Sequence, residues 1–479
     1  MGFYGILSFF SILFLFRLDY STLGSWDEAW YGVIAREMVR SGDYLRMHFN
    51  SLPYFDHPPA GFWLMAISYK LFGISEFSTR LPSVLCGIGT IALVYLTGVK
   101  LFGKKSIGFV AALVMGTCVW YVLRVRSGNL DSTFVFFYIL TIYFALKARE
   151  NIKWFIPTMA SFALLFLTKT LVGGSALLLV FLANSNHIPI LMQKSGRKYL
   201  KYVIYGFVLA IVIIFPWYLV HFLTYQNFYQ HHFVDIGTRN KTLLSYFNLH
   251  ATQPLFYLHM GIRKWYYLWI GAVGIIFVKR DFLKKEVAFL LIWNLLVLYP
   301  FLTTDQTQIW HLIPVYLPIS LIIAYGFQSL ISSTPRFLDF IPINRTSLAM
   351  TIMSLFLICF VLVAALQIKS FYKEVIPVNK YVADDVAISI DARKVDKQIF
   401  LDDDFLPMAV YYADKKIFTI RELELYGIFG INHTLVDFFK SNQKDFAVIT
   451  RVWAINNLVS EKIPFKIVAK NNSFVIVTR

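Results

Sequence analysis

Long apolar segments recur over the first 368 residues of the chain and are separated by shorter polar stretches. A helix needs roughly 20 apolar residues to cross a bilayer, and several of these segments approach that length. The apolar runs predict about eleven membrane-spanning helices. They are expected near residues 2–16, 81–99, 107–122, 133–146, 155–167, 171–183, 203–223, 264–278, 287–301, 312–327 and 346–368.

The pattern changes after residue 368. Residues 369–479 are more polar, and short β-rich runs such as "KQIFLDD", "DFAVITR" and "SFVIVTR" surround a helix-like stretch, "HTLVDFFKSN". The sequence therefore predicts a membrane domain over residues 1–368 and a small α/β domain over residues 369–479. The charges of the second domain form no obvious constellation, so it is interpreted as an accessory lid or a packing module.

The composition is typical of a membrane protein. Of the 479 residues, 57% are hydrophobic and only 15% are charged, against about 25% charged in typical soluble domains. The first apolar segment has neither a basic leading region nor a small-residue cleavage site, so it is interpreted as a retained span. The three cysteines lie in apolar runs, which predicts neither a disulfide framework nor a cysteine metal site.

Positive charge is concentrated in one set of connections. The formal net charge is +17, which on its own would suggest a nucleic-acid partner. The connections that hold 16 Lys and Arg in 60 residues are 100–106, 147–154, 184–202, 279–286 and 328–345. The positive-inside rule places them in the cytoplasm. The large loops at 17–80 and 224–263 and the C-terminal domain then face outward, and no nucleic acid is expected.

The first outer loop carries two acidic positions of interest. Asp27 and Glu28 begin "DEAWYGVIAREMVRSGDYL", whose apolar residues have helical spacing, and this predicts a helix lying on the membrane surface. Because aspartate is favoured at helix starts, the pair is either a helix cap or part of a site. Asp56 and His57 precede two prolines. Asp56 is either a carboxylate that stabilises a turn or a site residue.

Charged residues also lie at the ends of later predicted spans. The stretch "RVRSGNLDS" places Arg124, Arg126 and Asp131 directly before a new span. They are either solvated end charges or site residues. Lys169 lies between two apolar runs, where it either snorkels to the interface or pairs with an anion.

The third outer loop is rich in histidine. His231, His232, Arg239 and His250 suit a metal or a phosphate, although their spacing matches no strict metal motif. Carboxylates, cations and histidines thus collect on the predicted outer face. Such a set suits transfer from a lipid-linked phosphate, because the leaving phosphate needs positive charge and the acceptor needs a carboxylate to orient or deprotonate it.

Several stretches resemble one known family. The first loop is similar to the start of the C-superclass (GT-C) membrane glycosyltransferases, of the protein-mannosyltransferase-like and lipid A aminoarabinose transferase family, in "WDEAWYGVIAREMVRSGDYL" and "YFDHPPAGFWLMAISYKLFGISEFSTRLPSVL". Later family stretches match "RVRSGNLDSTFVFFYILTIYFAL", "FALLFLTKTLVGG" and "WHLIPVYLPISLIIAYG" in the same order. The resemblance implies a GT-C fold and inverting sugar transfer from a polyprenyl-phosphate donor. The acceptor is a lipid, glycan or protein on the outer face of a bacterial inner membrane.

The resemblance also implies roles for individual residues. Asp27 is expected to orient or activate the acceptor, and Asp131 is a second catalytic carboxylate. Asp56 occupies the place of a metal-binding carboxylate, so a divalent metal ion held by Asp56, His231 and His232 is expected. The residues expected to contact the donor phosphate are His57, Arg239, Lys169 and Arg126, with Glu28 and His250 as further candidates.

Two positions depart from the aminoarabinose transferase. His57 occupies the place of a lysine, and because imidazole titrates near neutral pH it either contacts phosphate or joins Asp56 as a metal ligand. The stretch "TTDQTQIWHLIP" lacks another expected lysine. A different donor sugar and acceptor are therefore expected. The alternative function is a polyprenyl-lipid transporter or flippase, which predicts ionisable residues inside the spans, where acids are nearly absent.

Overall fold

The computed structural model describes residues 2–24, 26–185, 197–238, 247–304, 307–333, 345–430 and 433–479. Its helices in the first three quarters of the chain are α1 (Phe3–Leu15), α2 (Trp26–Ser41), α3 (Ala60–Phe72), α4 (Glu76–Phe102), α5 (Lys105–Gly116), α6 (Val119–Val125), α7 (Asp131–Ala148), α8 (Phe155–Phe166), α9 (Thr170–Asn184), α10 (Arg197–Thr224), α11 (Thr252–Ile262), α12 (Lys264–Val278), α13 (Lys285–Leu302), α14 (Tyr316–Ser333) and α15 (Arg345–Val375). A π-helix spans Gln230–Thr238.

The remaining elements belong to the C-terminal part and to a hairpin in the first loop. The helices are α16 (Asp384–Ala392), α17 (Leu406–Ala413), α18 (Leu435–Lys440) and α19 (Ile455–Ser460). The strands are β1 (Met47–Phe49), β2 (Leu52–Tyr54), β3 (Gln398–Leu401), β4 (Ile417–Thr419), β5 (Phe446–Arg451), β6 (Lys466–Lys470) and β7 (Phe474–Thr478).

Helices occur at all eleven predicted spans. Within the part of the chain that the structure describes, six helices are long and apolar enough to cross a membrane, and a bent pair makes a possible seventh. The predicted spans that correspond to apolar helices of 10–17 residues are 2–16, 155–167, 171–183 and 264–278. The predicted architecture, a mostly helical multi-pass membrane protein with a small C-terminal sheet, is confirmed.

The segment predicted as one span at 107–122 is two helices, α5 and α6, with a bend of 72° between them. The break follows Gly116, where Thr117 accepts a hydrogen bond from Nε1 of Trp265 at 3.0 Å. The apolar pattern does not reveal the bend, because both helices are apolar and only two residues separate them. The short helix α6 begins just after this bend; Arg124 lies in its last turn, and Arg126 follows its last residue.

The described residues form two compact units. The first unit consists of residues 1–16, 55–64 and 80–376. In it, α8 packs against α7, α9 and α10, and α14 packs against α5, α12 and α13. The second unit consists of residues 17–54, 65–79 and 377–479.

The second unit is built on a five-stranded sheet of order β4-β3-β5-β7-β6. β3 is parallel to β4 and β5, whereas β7 is antiparallel to β5 and β6. Strand residues such as Ile399 and Ile476 share one buried cluster with Leu23, Ala29 and Val33 of the first loop. The first loop therefore supplies part of the core over this sheet.

The surroundings of α2 differ from the sequence prediction. The helix is present, but Val33, Ile34, Ala35 and Met38 are all buried by protein. Three successive buried positions cover most of the helix circumference, since each residue advances by about 100° around the axis. The apolar stripe that predicts a helix on the membrane surface is instead buried by protein.

The hairpin that follows α2 forms a separate two-stranded sheet, and a side chain of its turn bonds to the five-stranded sheet. Its turn residues Asn50 and Ser51 have φ values of 54° and 69°, as a two-residue type I′ turn requires. The buried Asn50 amide donates to the Ile417 carbonyl at 2.7 Å and accepts from the Ile417 N–H at 3.2 Å. The Asn50 side chain thus satisfies backbone groups at the edge strand β4.

Candidate active site

Asp56 and His231 form the first contact of the candidate site. Nε2 of His231 lies 2.6 Å from Oδ1 of Asp56, and both side chains are partly exposed. Asp56 lies just before α3, whose first residue Ala60 donates its N–H to the Leu167 carbonyl at 2.9 Å. A Cβ atom on Gly61 would meet Leu130 at 2.3 Å, so the chain after Asp56 passes directly against the start of α7.

His232, the next residue of the π-helix, lies in a directed chain of hydrogen bonds. Its Nδ1 lies 2.9 Å from the Phe55 carbonyl, which can only accept. Burial lowers the pKa of His232, so the ring is neutral near pH 7 and Nδ1 carries its single proton. Nε2 then accepts from the Thr170 hydroxyl at 2.9 Å, and that hydroxyl accepts from the Tyr218 hydroxyl at 2.6 Å.

Asp131 is the centre of a buried ionic triad. Arg124 donates from Nε to Oδ2 of Asp131 at 2.6 Å, and Lys169 donates from Nζ to Oδ1 at 2.5 Å. The Asp131 side chain is only 6% exposed, so both cations are needed to compensate for removing a carboxylate from water. The triad carries a net charge of +1. Lys169 immediately precedes α9, whose N-terminal backbone dipole also attracts anions.

His57 links these groups. Its electrostatic neighbours are Lys169, Asp56, His232 and Asp131. Burial, followed by the charge of Lys169, lowers the pKa of His57 to about 4. The imidazole is therefore neutral near pH 7, where it can donate or accept a hydrogen bond but brings no charge of its own.

Six residues singled out from the sequence therefore meet in one place, although they come from four separate segments. We call this group the Asp56–Asp131 cluster; it consists of Asp56, His57, Asp131, Lys169, His231 and His232. All of them belong to the first unit.

The described residues do not fit the metal site that the resemblance implies. Among them, no three His, Cys, Asp or Glu side chains converge to hold an ion, whereas protein sites for divalent transition metals provide three or four ligands. Both ring nitrogens of His232 are already engaged, by Phe55 and by Thr170. Asp56 and His231 are left as a pair.

An apolar cleft of about 420 Å³ begins beside the cluster. It shares Tyr218 with the hydrogen-bond chain and includes Phe233, the neighbour of His232. The other lining residues are all apolar and come from α8, α9 and α10; they are Met159, Phe162, Phe166, Leu177, Phe207, Ala210, Ile211, Ile214 and Phe215.

Known proteins are similar to this chain in sequence and in fold. The family model for dolichyl-phosphate-mannose-protein mannosyltransferases matches residues 56–219. The undecaprenyl phosphate-α-4-amino-4-deoxy-L-arabinose arabinosyl transferase 2 of Pseudomonas fluorescens (strain Pf0-1) is 26% identical over 356 residues, covering 67% of this chain and 58% of that protein. The corresponding transferase 2 of Proteus mirabilis (strain HI4320) is 26% identical over 331 residues, covering 66% and 58%. The match thus spans less than two thirds of these curated relatives.

Solved structures extend the likeness to nearly the whole chain. ArnT from Cupriavidus metallidurans bound to undecaprenyl phosphate superposes with a TM-score of 0.69 at 17% identity, covering 99% of this chain and 97% of that one. The archaeal oligosaccharyltransferase AglB from Archaeoglobus fulgidus superposes with a TM-score of 0.54 at 10% identity, covering 94% and 69%. The chain is therefore similar in sequence, over residues 56–219, to the dolichyl-phosphate-mannose-protein mannosyltransferases, and it shares the fold of ArnT.

Arg126 and His250 make other contacts. Arg126 donates from Nη1 to the carbonyls of Leu13 and Phe14, at 3.0 and 2.8 Å, and from Nε to the carbonyl of Val375 at 3.3 Å. It therefore satisfies carbonyls at the C-terminal ends of α1 and α15. His250 is exposed, and its backbone N–H donates to the Leu302 carbonyl at 2.7 Å. Arg239 lies outside the described residues.

Asp27 and Glu28 belong to the second unit, in the first turn of α2. Glu28 is buried and accepts from the Gly24 N–H at 3.1 Å, so it fixes the chain just before α2. Asp27 is half-buried. Its assignment as the residue that activates the acceptor remains a prediction from the resemblance.

Two polar members of the site, Thr170 and Tyr218, were missed by sequence reasoning, and Arg124 was singled out without a role of its own. Arg124, and not Arg126, pairs with Asp131, and the two arginines could not be distinguished because they lie two residues apart in one motif. Thr170 and Tyr218 had no signal of their own, since a hydroxyl in an apolar helix is common. Their one sequence cue is that Thr170 directly follows Lys169 at a helix start.

Proposed function

We propose that this protein is an inverting glycosyltransferase that takes a sugar from a polyprenyl-phosphate donor. This proposal rests on the Asp56–Asp131 cluster. At the N-terminus of α9, the Lys169 ammonium and the Thr170 hydroxyl lie beside neutral imidazoles. A phosphate is the ligand class that such a combination favours. The related ArnT of known structure contains undecaprenyl phosphate.

The apolar cleft supports a lipid-linked phosphate over a soluble one. All its lining residues except Tyr218 are apolar, and the Tyr218 hydroxyl is already bonded to Thr170, so an isoprenoid chain placed there leaves no polar group unsatisfied. Since the cleft begins at Tyr218, a chain in it has its phosphate end towards Thr170 and Lys169. We propose that this face of the protein lies outside a bacterial inner membrane, as the positive-inside pattern predicts.

The transfer is a single displacement. The acceptor hydroxyl or amine forms a bond to the anomeric carbon while the bond from that carbon to the phosphate oxygen breaks. The acceptor proton passes to a carboxylate, for which the resemblance indicates Asp27, and the polyprenyl phosphate leaves with the additional negative charge. Lys169 and the α9 N-terminus stabilise that charge, and Asp131 holds Lys169 and Arg124 in place. The acceptor is a lipid, glycan or protein.

The test uses full-length protein in nanodiscs with a panel of labelled undecaprenyl-phosphate sugars, including aminoarabinose, and membrane lipids and glycans as acceptors. Wild-type protein should release undecaprenyl phosphate and transfer the label, and Asp27→Asn and Lys169→Met should lose both. Lys153→Met is the matched control, because Lys153 is exposed on the connection before α8. Movement of undecaprenyl phosphate across the bilayer, with no sugar released from any donor, would replace this function with the transporter.

A further inference from the structure

Arg36, in the middle of α2, is buried against the end of α17. Its Nη1 donates to the Tyr411 carbonyl at 2.8 Å, and its Nη2 donates to the Val410 carbonyl at 3.0 Å. Nη1 also lies 2.9 Å from Oδ1 of Asp414. The side chain is only 5% exposed. Carbonyls in the last turn of a helix have no helical donor of their own, so this guanidinium supplies a cap from a distant part of the chain.

Two further arginines complete this cap. Arg40, one turn after Arg36, donates to both carboxylate oxygens of Asp414 at 2.7 and 2.9 Å. Arg393 donates to the Tyr412 carbonyl at 2.9 Å. The end of α17 carries a partial negative charge from its unsatisfied carbonyls, and Asp414 adds a full one. The three cations therefore fit one negative end of a helix.

The start of α2 is held by the same helix. The Leu23 N–H donates to the Tyr412 hydroxyl at 2.7 Å, and that hydroxyl donates to Oε1 of Glu76 at 3.0 Å. Tyr412 is a residue of α17, so α17 holds the chain just before α2 and also binds the middle of α2. Asp27 lies between these two attachment points.

The two attachments are joined by close packing. Gly32 faces the Tyr411 ring so closely that a Cβ atom would meet it at 2.9 Å. Ala29 and Val33 lie in the buried cluster that contains Ala409, Val410 and the sheet. At a rise of about 1.5 Å per residue, Asp27 stands about 14 Å along the helix from Arg36. A helix held at both ends over this length behaves as a rigid support.

We infer that Arg36 is a positioning residue for Asp27, and that the C-terminal part of the chain is required for catalysis because its helix α17 determines where α2 lies. The inference rests on the proposed role of Asp27 in acceptor activation. It replaces the interpretation of the C-terminal region as an accessory lid or packing module.

The experiment compares full-length wild-type protein with Arg36→Lys and Asp414→Asn. Lysine keeps the charge but cannot bond two carbonyls and a carboxylate in one plane. Asp414→Asn is the milder variant, since it keeps both carbonyl bonds of Arg36. Arg46→Lys is the matched control, because Arg46 pairs with Asp43 on the same loop and is half exposed. Hydrogen exchange of α2 and steady-state transfer kinetics are measured on each protein.

Arg36→Lys should speed amide exchange in the first three turns of α2 while exchange in α7 and α9 stays unchanged. Its kcat should fall by about tenfold to a hundredfold, because small misplacements of a catalytic group have effects of that size. KM for the donor should stay unchanged, and Asp414→Asn should show both effects more weakly. Arg46→Lys should match wild type in both measurements.

Unchanged exchange in α2 in both variants overturns the inference, whatever the activity. Faster exchange with unchanged kcat also overturns it, because Arg36 would then serve stability alone. The hydrogen-exchange readout needs no substrate, so its result is separate from that of the proposed function. A wild-type protein that transfers no sugar contradicts the function, whereas an active Asp27→Asn variant contradicts the role of Asp27, and with it this inference, but leaves the function standing.

Discussion

Nε2 of His231 lies 2.6 Å from Oδ1 of Asp56, although 175 residues separate them in the chain. The contact joins the loop before α3 to the π-helix after α10, and His232 makes a second connection to the same loop through Phe55. Two successive histidines therefore hold the loop that carries Asp56 and His57. The geometry of the cluster depends on this connection as much as on the residues themselves.

The Asp56–His231 pair should act as a unit in catalysis. Asp56→Asn and His231→Gln are each expected to lower transfer. The double variant should be only slightly less active than the less active of the two single variants. Coupled residues deviate from additivity by about 0.5–3 kcal/mol. A double-mutant cycle on kcat/KM measures this, with His433→Gln as a histidine control in the C-terminal part. Fully additive losses would show that the two side chains act independently.

Lys169→Met should destabilise the protein as well as inactivate it. It leaves Asp131 with one cation in a buried site, and breaking such a pair is expected to lower the free energy of unfolding by about 3 kcal/mol. The double variant Lys169→Met with Asp131→Asn should be less stable still and equally inactive, because it leaves the buried Arg124 guanidinium without a carboxylate. Thermal unfolding in nanodiscs, beside Lys153→Met, provides the comparison. A double variant as stable as Lys169→Met would contradict the triad.

His57 should make the protein less stable in mild acid. Burial and Lys169 lower its pKa from an ordinary 6.5 to about 4, so between these values the unfolded chain binds a proton that the folded protein does not. The contribution is complete above about pH 6.5 and is lost as the pH falls towards 4. His57→Asn, which cannot be protonated, should flatten this part of the stability profile. Melting temperatures from pH 4.5 to 7.5 test it, and an unaltered slope would show that other groups dominate.

Arg126 should prove to be a structural residue and not a phosphate ligand. It bonds three carbonyls at the ends of α1 and α15, and hydrogen bonds to a charged group contribute about 1.5–3 kcal/mol each. Arg126→Gln should therefore lower the melting temperature while KM for the donor and kcat of the folded fraction stay near wild type. A raised donor KM in fully folded protein would restore the role assigned from the resemblance.

Some parts of the site could be recognised in the sequence because they carry a local physical signal. Lys169 is conspicuous as a cation between apolar runs, and Asp131 directly begins an apolar helix. Asp56 and His57 are conspicuous as a polar pair before two prolines. Each signal marks a polar or charged side chain in apolar surroundings, but none of them identifies the partner of that side chain.

The sequence did not show which residues the charged side chains and histidines would contact. Arg124 and Arg126 look equivalent in "RVRSG", yet one reaches Asp131 and the other caps α1 and α15. The difference arises from the direction in which α6 leaves the 72° bend, and a bend between two apolar helices has no periodic signature. The histidines suggested a metal, whereas the fold places the two nitrogens of His232 against a carbonyl and a hydroxyl.

By itself, the sequence determined where the apolar helices lie along the chain, the change of character after residue 368 and the positions of polar residues in apolar surroundings. These follow from the transfer free energies of individual side chains, which are local properties. Only the tertiary structure decided that α2 is buried against α17 and that Asp56 meets His231. It also decided that Lys169 and Arg124 share Asp131. Such contacts join residues far apart in the chain, and their energies depend on a geometry that exists only once the helices are packed.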